Sequence, residues 1–348
     1  MIPSPARARR VAAGLALLAA SPLLAQTTPA AYRTPAALAH VQRALAIAGT
    51  DLAPDAERLC RPPRIQPMVG PPPPPGTVVP PPRPRQERPA FTPNRVFDNV
   101  WYFGTTEVGA TVIRTSRGLV LIDALTTVAD AERVLLGGMR KEGLDPAAIR
   151  YVIVTHAHGD HHGGIALLRS RYPAFRVVMS ADDWAFAQKP FYMPDGNLDT
   201  APKPPARRAS DLAWRGRLDL RVGDTTFHLV ETPGHTPGTT GLVYDVRSNG
   251  KPEIVAQWGG GGPMDSVFPL AAVERFADLA DRFGATVQWS SHSGMAFWGI
   301  ADRRTFSDKA ALVAAGQGPN PFVAGRDLVH RYLGVLRECK RAASAEQP

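Results

Sequence analysis

Cysteine is scarce in this chain: of 348 residues only Cys60 and Cys339 carry thiols. Neither sits in a Cys-x-x-Cys pair or beside a histidine, so thiol catalysis and a cysteine-built metal site are both disfavoured. Runs of like charge are also missing. The 40 Lys and Arg against 31 Asp and Glu leave a formal charge of +9, spread thinly and mostly as arginine. That reads as solvated surface rather than a nucleic-acid groove, although a basic surface can draw in anionic substrates or lie near acidic envelope polymers. The apolar run from Val11 to Ala20 is too short to span a bilayer, which needs ~20 residues. Gly259 to Gly262 is not followed by Lys-Ser/Thr or by an immediate helix, so it reads as the flexible edge of a site and not as a phosphate cradle.

What is present divides the chain. Arg7, Arg9 and Arg10 precede the Val11 to Ala20 run, and small residues follow up to Ala25, the pattern of a secretory signal peptide over 1–25. Cleavage there removes three arginines and takes the formal charge from +9 to +6; an uncleaved anchor is the alternative. Residues 26–61 carry helical apolar spacing through Leu38, Val41, Leu45, Leu52 and Leu59, a short helical extension. Prolines crowd 62–94, which favours a semi-rigid polyproline II linker. Residues 95–348 form the main domain, and 44% hydrophobic content supplies a large core. In an oxidising compartment the cysteine pair can form one disulfide, clamping the extension to the C-terminal helix; two unrelated thiols are the other reading.

Within the main domain, 99–103, 110–115 and 119–123 read as successive antiparallel strands, and 129–141 as a helix stopped by Gly143. A short buried strand over 151–155 runs into a histidine cluster, and 163–171 opens the next helix. A strand at 176–180 and a helix at 182–188 lead to a long proline-bearing loop, 189–208, placed to overhang a site. A second strand set follows at 218–222, 225–231, 239–245 and 253–257, then a helix over 270–282, a strand at 287–291 and a C-terminal helix at 322–343. Two β-rich halves, each followed by helices, predict an α+β fold, an αββα sandwich.

Of nine histidines, four fall within seven residues: His156, His158, His161 and His162. Imidazoles on a loop leaving a strand can converge on a cation, and Asp160 adds a harder ligand on the same turn. Gly159, Gly163 and Gly164 let the backbone turn tightly and a helix start close by. Much later, Thr232-Pro233-Gly234-His235-Thr236-Pro237-Gly238 holds one histidine in a rigid turn between two strands. His292 again ends a strand.

Thr155-His156-Ala157-His158-Gly159-Asp160-His161, the Gly234-His235 turn and His292 together resemble the metallo-β-lactamase superfamily, over roughly 99–304. Val120-Leu121-Ile122-Asp123 is similar to that family's strand-end aspartate. The resemblance implies two zinc ions per chain, one on His156, His158 and His235, the other on Asp160, His161 and His292. Many relatives of the thioesterase and lactonase kind add a bridging aspartate after the Gly-His turn, and some β-lactamases a cysteine. Here that stretch reads Val255-Ala256-Gln257-Trp258-Gly259, with neither. The likeness is therefore greatest to the β-lactamase subclass with an all-histidine first site and an Asp-His-His second site; Asp265 is the nearest stand-in for a bridging carboxylate.

The implied reaction is hydrolysis of a cyclic amide or related bond in a small molecule by water activated at the two metals, with Asp160 as the catalytic residue that orients the water and shuttles its proton. The implied setting is the periplasm or exterior, with no nucleic acid and no stable membrane insertion after cleavage. Two alternatives stand: a lactonase or other ester hydrolase on the same site, and a non-catalytic zinc-binding envelope protein. Asp123 reads as a brace on the metal loop. His162, His228, His40 and His330 read as structural or surface histidines, while Trp101, Tyr102, Trp258 and Phe297 read equally as cleft wall or as packing.

Overall fold

The computed structural model describes residues 32–61, 74, 76, 88–92, 94–189, 203–260, 269–292, 302, 304–316 and 318–346. The leader, most of the proline-rich stretch, Asp265 and Phe297 lie outside the described residues.

Two sheets carry the fold. The first has seven strands in sequence order: β1 (Asn94–Phe97), β2 (Val100–Gly104), β3 (Gly109–Thr115), β4 (Gly118–Ile122), β5 (Ile149–Ile153), β6 (Arg176–Ser180) and β7 (Leu212–Trp214). β1 to β4 pair antiparallel and β4 to β7 parallel. The second runs β12-β11-β10-β9-β8, from β8 (Arg217–Val222), β9 (Thr225–Glu231), β10 (Thr240–Ser248), β11 (Lys251–Gln257) and β12 (Val287–Trp289). Only β11 and β12 are parallel in it.

Alternation along the strands decides the layers. Val120 and Ile122 of β4 join Phe227, Leu229, Leu242 and Tyr244 in a core between the sheets, while Leu119 and Leu121 face the other way. On that outer face pack a helix over 128–141 and α6 (Ile165–Arg171). The first of these comprises α3 (Val128–Asp130), a π-helical stretch Ala131–Leu136 and α4 (Gly137–Lys141). α5 (Gly159–His162) and α7 (Ala181–Ala187) complete this side. Over the second sheet lie α8 (Leu270–Phe283) and α10 (Arg326–Glu346), sharing one core with α1 (Pro35–Ala48) and α2 (Ala53–Leu59). The expected αββα sandwich is the observed one.

The helical extension is thus part of a main-domain layer. Cys60 and Cys339 are joined, tying α2 to α10 across 279 residues of sequence, and His40 and Arg43 of α1 both reach the Glu338 carboxylate of α10. β1, β7 and α9 (Phe306–Ala314) were not anticipated. The C-terminal helix starts at Arg326 and not Phe322, because Phe322 is drawn between the sheets, where its ring meets Trp289 at 5.3 Å.

Candidate metal centre

The strands of both sheets deliver their chemistry at one pole. Asp123 leaves β4, residues 155–162 leave β5, residues 232–239 join β9 to β10, and 290–292 follow β12. The Thr240 N–H donates to the Thr155 carbonyl at 2.8 Å, locking the two sheets together there. The expected close approach of chain around the cluster is real. A Cβ on Gly163 would stand 1.9 Å from the Thr126 carbonyl oxygen, and one on Gly164 2.4 Å from that of Ala124.

Six side chains meet at this pole in two adjoining cradles. Ring nitrogens of His156, His158 and His235 lie within 4.8 Å of one another, with ring centroids 4.5 to 4.9 Å apart. Beside them, His161 Nε2 lies 3.2 Å from His292 Nε2, and Asp160 Oδ2 lies 3.3 Å from the first and 3.9 Å from the second. His156 and His161 bring the cradles together, their centroids 3.9 Å apart. The six residues that the sequence suggested are thus brought together at this pole, with His156 also grouped with His161 and His292, their ligand atoms within 4.8 Å of one another.

Each cradle has its own buried carboxylate. Asp123, wholly buried with φ 62°, accepts from Thr155 N–H at 2.8 Å, Thr155 Oγ1 at 2.9 Å, Ser291 Oγ at 2.6 Å and His161 Nδ1 at 2.8 Å. It presents His161 Nε2 to the second cradle, and through Ser291 it fixes the chain carrying His292. Gln257 extends this network, donating to Ser291 Oγ at 3.1 Å and accepting from Tyr244 OH at 3.0 Å. Asp183 does the equivalent for the first cradle. It accepts from Ala157 N–H at 2.9 Å, Thr236 Oγ1 at 2.7 Å and Gly238 N–H at 2.7 Å, clasping the His156–His158 loop to the turn that holds His235. Burial pushes its carboxyl up to about 6, against the pull of those three donors.

Electrostatics differ between the cradles. Burial, reinforced by neighbouring His235, lowers His158 to about 3, and burial drives His156 well below the usual histidine range. His156 and His158 are therefore neutral imidazoles in the first cradle, and His156 Nε2 is buried with no hydrogen-bond partner among the described residues. At His161 burial opposes the charged ring, but Asp160 and Asp123 outweigh it and hold the group up at about 10. The second cradle thus favours positive charge. Lone pairs without donors in one pocket and surplus negative charge in the other are what two cations would satisfy, and a nitrogen-rich donor set with one carboxylate fits zinc.

Other residues resolve differently. Trp101 is buried on the outer face of the first sheet and donates to Glu142 at 3.1 Å. Tyr102 lies in the inter-sheet aromatic core and donates to the Ser291 carbonyl. Trp258 packs edge-on against Phe276 with centroids 4.7 Å apart. None of the three is a cleft wall, because alternation turns each into a core. His162 donates from Nε2 to the Ala157 carbonyl; His228 pairs with Asp219, His330 with Asp281 and His40 with Glu338. The glycine run is structural at its start: Gly260 has φ 84°, and a Cβ there would lie 2.8 Å from the His235 ring.

Asp183 was missed by the sequence reading. Its one signal is Ser180, whose hydroxyl accepts from the Asp183 N–H at the start of α7. A capping pattern says nothing of where the aspartate's own oxygens go.

Comparison with known proteins agrees with this geometry. The model of the metallo-β-lactamase superfamily matches residues 104–248. The chain is 28% identical to the N-acyl homoserine lactonase AttM of Rhizobium radiobacter, over 39% of this chain and 50% of the lactonase. It is 32% identical to a hydroxyacylglutathione hydrolase of Xanthomonas axonopodis pv. citri, over 36% of this chain and 41% of that protein. The chain spans about half the length of the curated relatives it matches. Among solved structures, BJP-1, a subclass B3 metallo-β-lactamase of Bradyrhizobium japonicum, superposes with a TM-score of 0.55 at 24% identity, covering 70% of this chain and 90% of BJP-1.

Proposed function

We propose, from the match of the metallo-β-lactamase superfamily model over residues 104–248 and the geometry of the site, that this chain is an exported dinuclear zinc hydrolase of the β-lactamase type. The observation that carries the reading is the pair of adjoining cradles, three histidines in one and Asp160, His161 and His292 in the other. β11 ends at Gln257 and Trp258 follows it, so neither a carboxylate nor a thiol is supplied there as a bridge, as in the β-lactamase subclass with these ligands. His156, His158 and His235 would hold one ion, and Asp160, His161 and His292 the other.

Bound zinc supplies Lewis acidity, which makes a coordinated water acidic near neutral pH and stabilises negative charge developing on substrate. The protein's own groups do the rest. Asp160 is the most exposed member of its cradle, with 23% of its side chain accessible against 0% for His161 and 10% for His292. That exposure supports the reading that its carboxylate orients the attacking water and carries its proton toward the leaving group. Asp123 fixes the His161 tautomer by accepting a hydrogen bond from Nδ1–H, which leaves the Nε2 lone pair to serve as a metal ligand. Both cysteines are in the disulfide, so no thiol competes as nucleophile.

The test is hydrolysis of a chromogenic cephalosporin and a panel of lactones by the purified protein, with and without chelator, beside metal analysis. Chelator-sensitive cephalosporin turnover with two zinc per chain is expected. Turnover of lactones alone would transfer the assignment to the ester-hydrolase reading, which the named lactonase and hydrolase relatives favour. No chelator-sensitive turnover at all would leave a zinc-binding protein without catalysis. Export is supported by the arginine and apolar leader and by the disulfide, and periplasmic or secreted recovery of a shortened chain checks it.

A further inference from the structure

Four arginines gather at the pole of the sandwich opposite the metal centre. Arg117 sits in the turn between β3 and β4, Arg150 near the start of β5, Arg176 at the start of β6 and Arg221 near the end of β8. Together they line a basin of ≈ 410 Å³. Arg150 precedes His156 by six residues along the same strand and its exit, which puts the basin roughly 15–20 Å from the metal ligands.

Two turns, one from each sheet, build the floor. Gly223, with φ 62°, comes so close to the other turn that a Cβ would stand 2.9 Å from the Arg117 nitrogen. Three of the arginines are braced alike, each through Nε to a backbone carbonyl: Arg150 to Arg117 at 3.1 Å, Arg221 to Gly223 at 3.2 Å, and Arg176 to Ser210. Arg176 also lies over the Tyr151 ring, 5.7 Å from its centroid. Bracing through Nε fixes the plane of each guanidinium and leaves the paired Nη groups uncommitted, the planar fork that matches phosphate oxygens.

Neutralising partners are lacking. Elsewhere on the surface Arg331 pairs with Asp51, Arg337 with Asp278 and Asp281, and Arg341 with Glu274 and Glu338. Among the described residues none of the four basin arginines forms an ion pair. The carboxylate on the adjoining turn, Asp224, accepts from the Ser116 N–H at 2.8 Å and stays anionic, but among the described residues it forms no ion pair with any of the four. Like charges held together in this way repel, and a multivalent anion relieves the repulsion while using forks that are already oriented.

We propose that this basin binds an anionic phosphate group, at a site separate from the metal centre. The phosphate of a soluble metabolite and that of an anionic lipid headgroup share this chemistry, and two arms of one experiment separate them. The full chain is titrated with inorganic phosphate at pH 8 and 0.15 M salt, and is sedimented with phosphatidylcholine vesicles with and without phosphatidylglycerol. Both are repeated with R117Q/R150Q/R176Q/R221Q, and with R150Q/R221Q should the fourfold variant not fold; melting temperature and zinc content report the integrity of each. Saturable phosphate binding weakened at least tenfold in the variant identifies the soluble source. Vesicle binding that needs phosphatidylglycerol and the arginines, without saturable phosphate binding, identifies the lipid source. Absence of both, or persistence of either at full strength in a folded variant, overturns the proposal.

Discussion

The two metal cradles are built on the same plan from different chain segments. In the first, Asp183 ties the His156–His158 loop to the turn carrying His235; in the second, Asp123 ties His161 to the segment carrying His292. Each buried carboxylate accepts from backbone or hydroxyl groups on two separate loops, so each fixes a distance between ligands that no single loop could set. The cradles differ in charge. In the first, burial keeps His156 and His158 neutral, whereas the second sets the carboxylates of Asp160 and Asp123 around His161. Ligand placement by a partner outside the ligand set lets one pole of a sandwich hold two sites of different electrostatic character.

Breaking one cradle at a time tests that division. The largest effect is expected from D123A. It strips the acceptor from four buried donors, two of them on Thr155 and one each on Ser291 and His161, and should cost about 3–5 kcal/mol of stability. Chemical denaturation measures that loss, and metal titration should show the second ion weakened while the first is still taken up. The converse variant, D183N, turns one of its accepting oxygens into a donor facing the clasp, and should weaken the first ion by about 10–100-fold. If both variants lost the same ion, the division between cradles would be wrong.

A break outside both cradles is the control. C60S/C339S should lower stability by about 2–4 kcal/mol yet keep two metals per chain, because the disulfide joins α2 to α10 on the far side of the second sheet. G260A is subtler: a Cβ 2.8 Å from the His235 ring on a backbone at φ 84° should cost about 1–3 kcal/mol and disturb the first cradle alone.

The smallest effect concerns Glu338, within the helical layer. Burial works to raise its carboxyl, but hydrogen bonds from His40, Arg43 and Arg341 outweigh that and hold it down at about 2. A lowered folded value means that the contribution is complete above the unfolded value near 4.5 and is lost as pH falls toward 2. E338Q should therefore be less stable than the parent at pH 7, with the difference closing as the melt is repeated from pH 4.5 downward.

The donors themselves were legible because the metal chemistry is written locally. His156, His158, Asp160 and His161 share one short loop, His235 sits in a Pro and Gly turn, and strand periodicity announced two sheets. Asp123 was recognised as a brace through the resemblance of Val120-Leu121-Ile122-Asp123 to the family's strand-end aspartate, although its partners lie 32 to 168 residues away. Asp183 was not, since no motif marks it and its partners, 26 to 55 residues away, appear only once α7 is packed against both loops. Trp101, Tyr102 and Trp258 stood open between cleft wall and core for the same reason.

The sequence by itself thus determined which atoms are available at the metal pole, in what order along the chain, and that β11 ends without a bridging carboxylate. Only the tertiary structure decided which carboxylate holds which ligand, which aromatics are buried, and that four arginines from two sheets share one basin. Spacing along a chain constrains neighbours within a few residues, whereas contacts between strand ends depend on how the two sheets twist and pack, and this is fixed by the whole core at once.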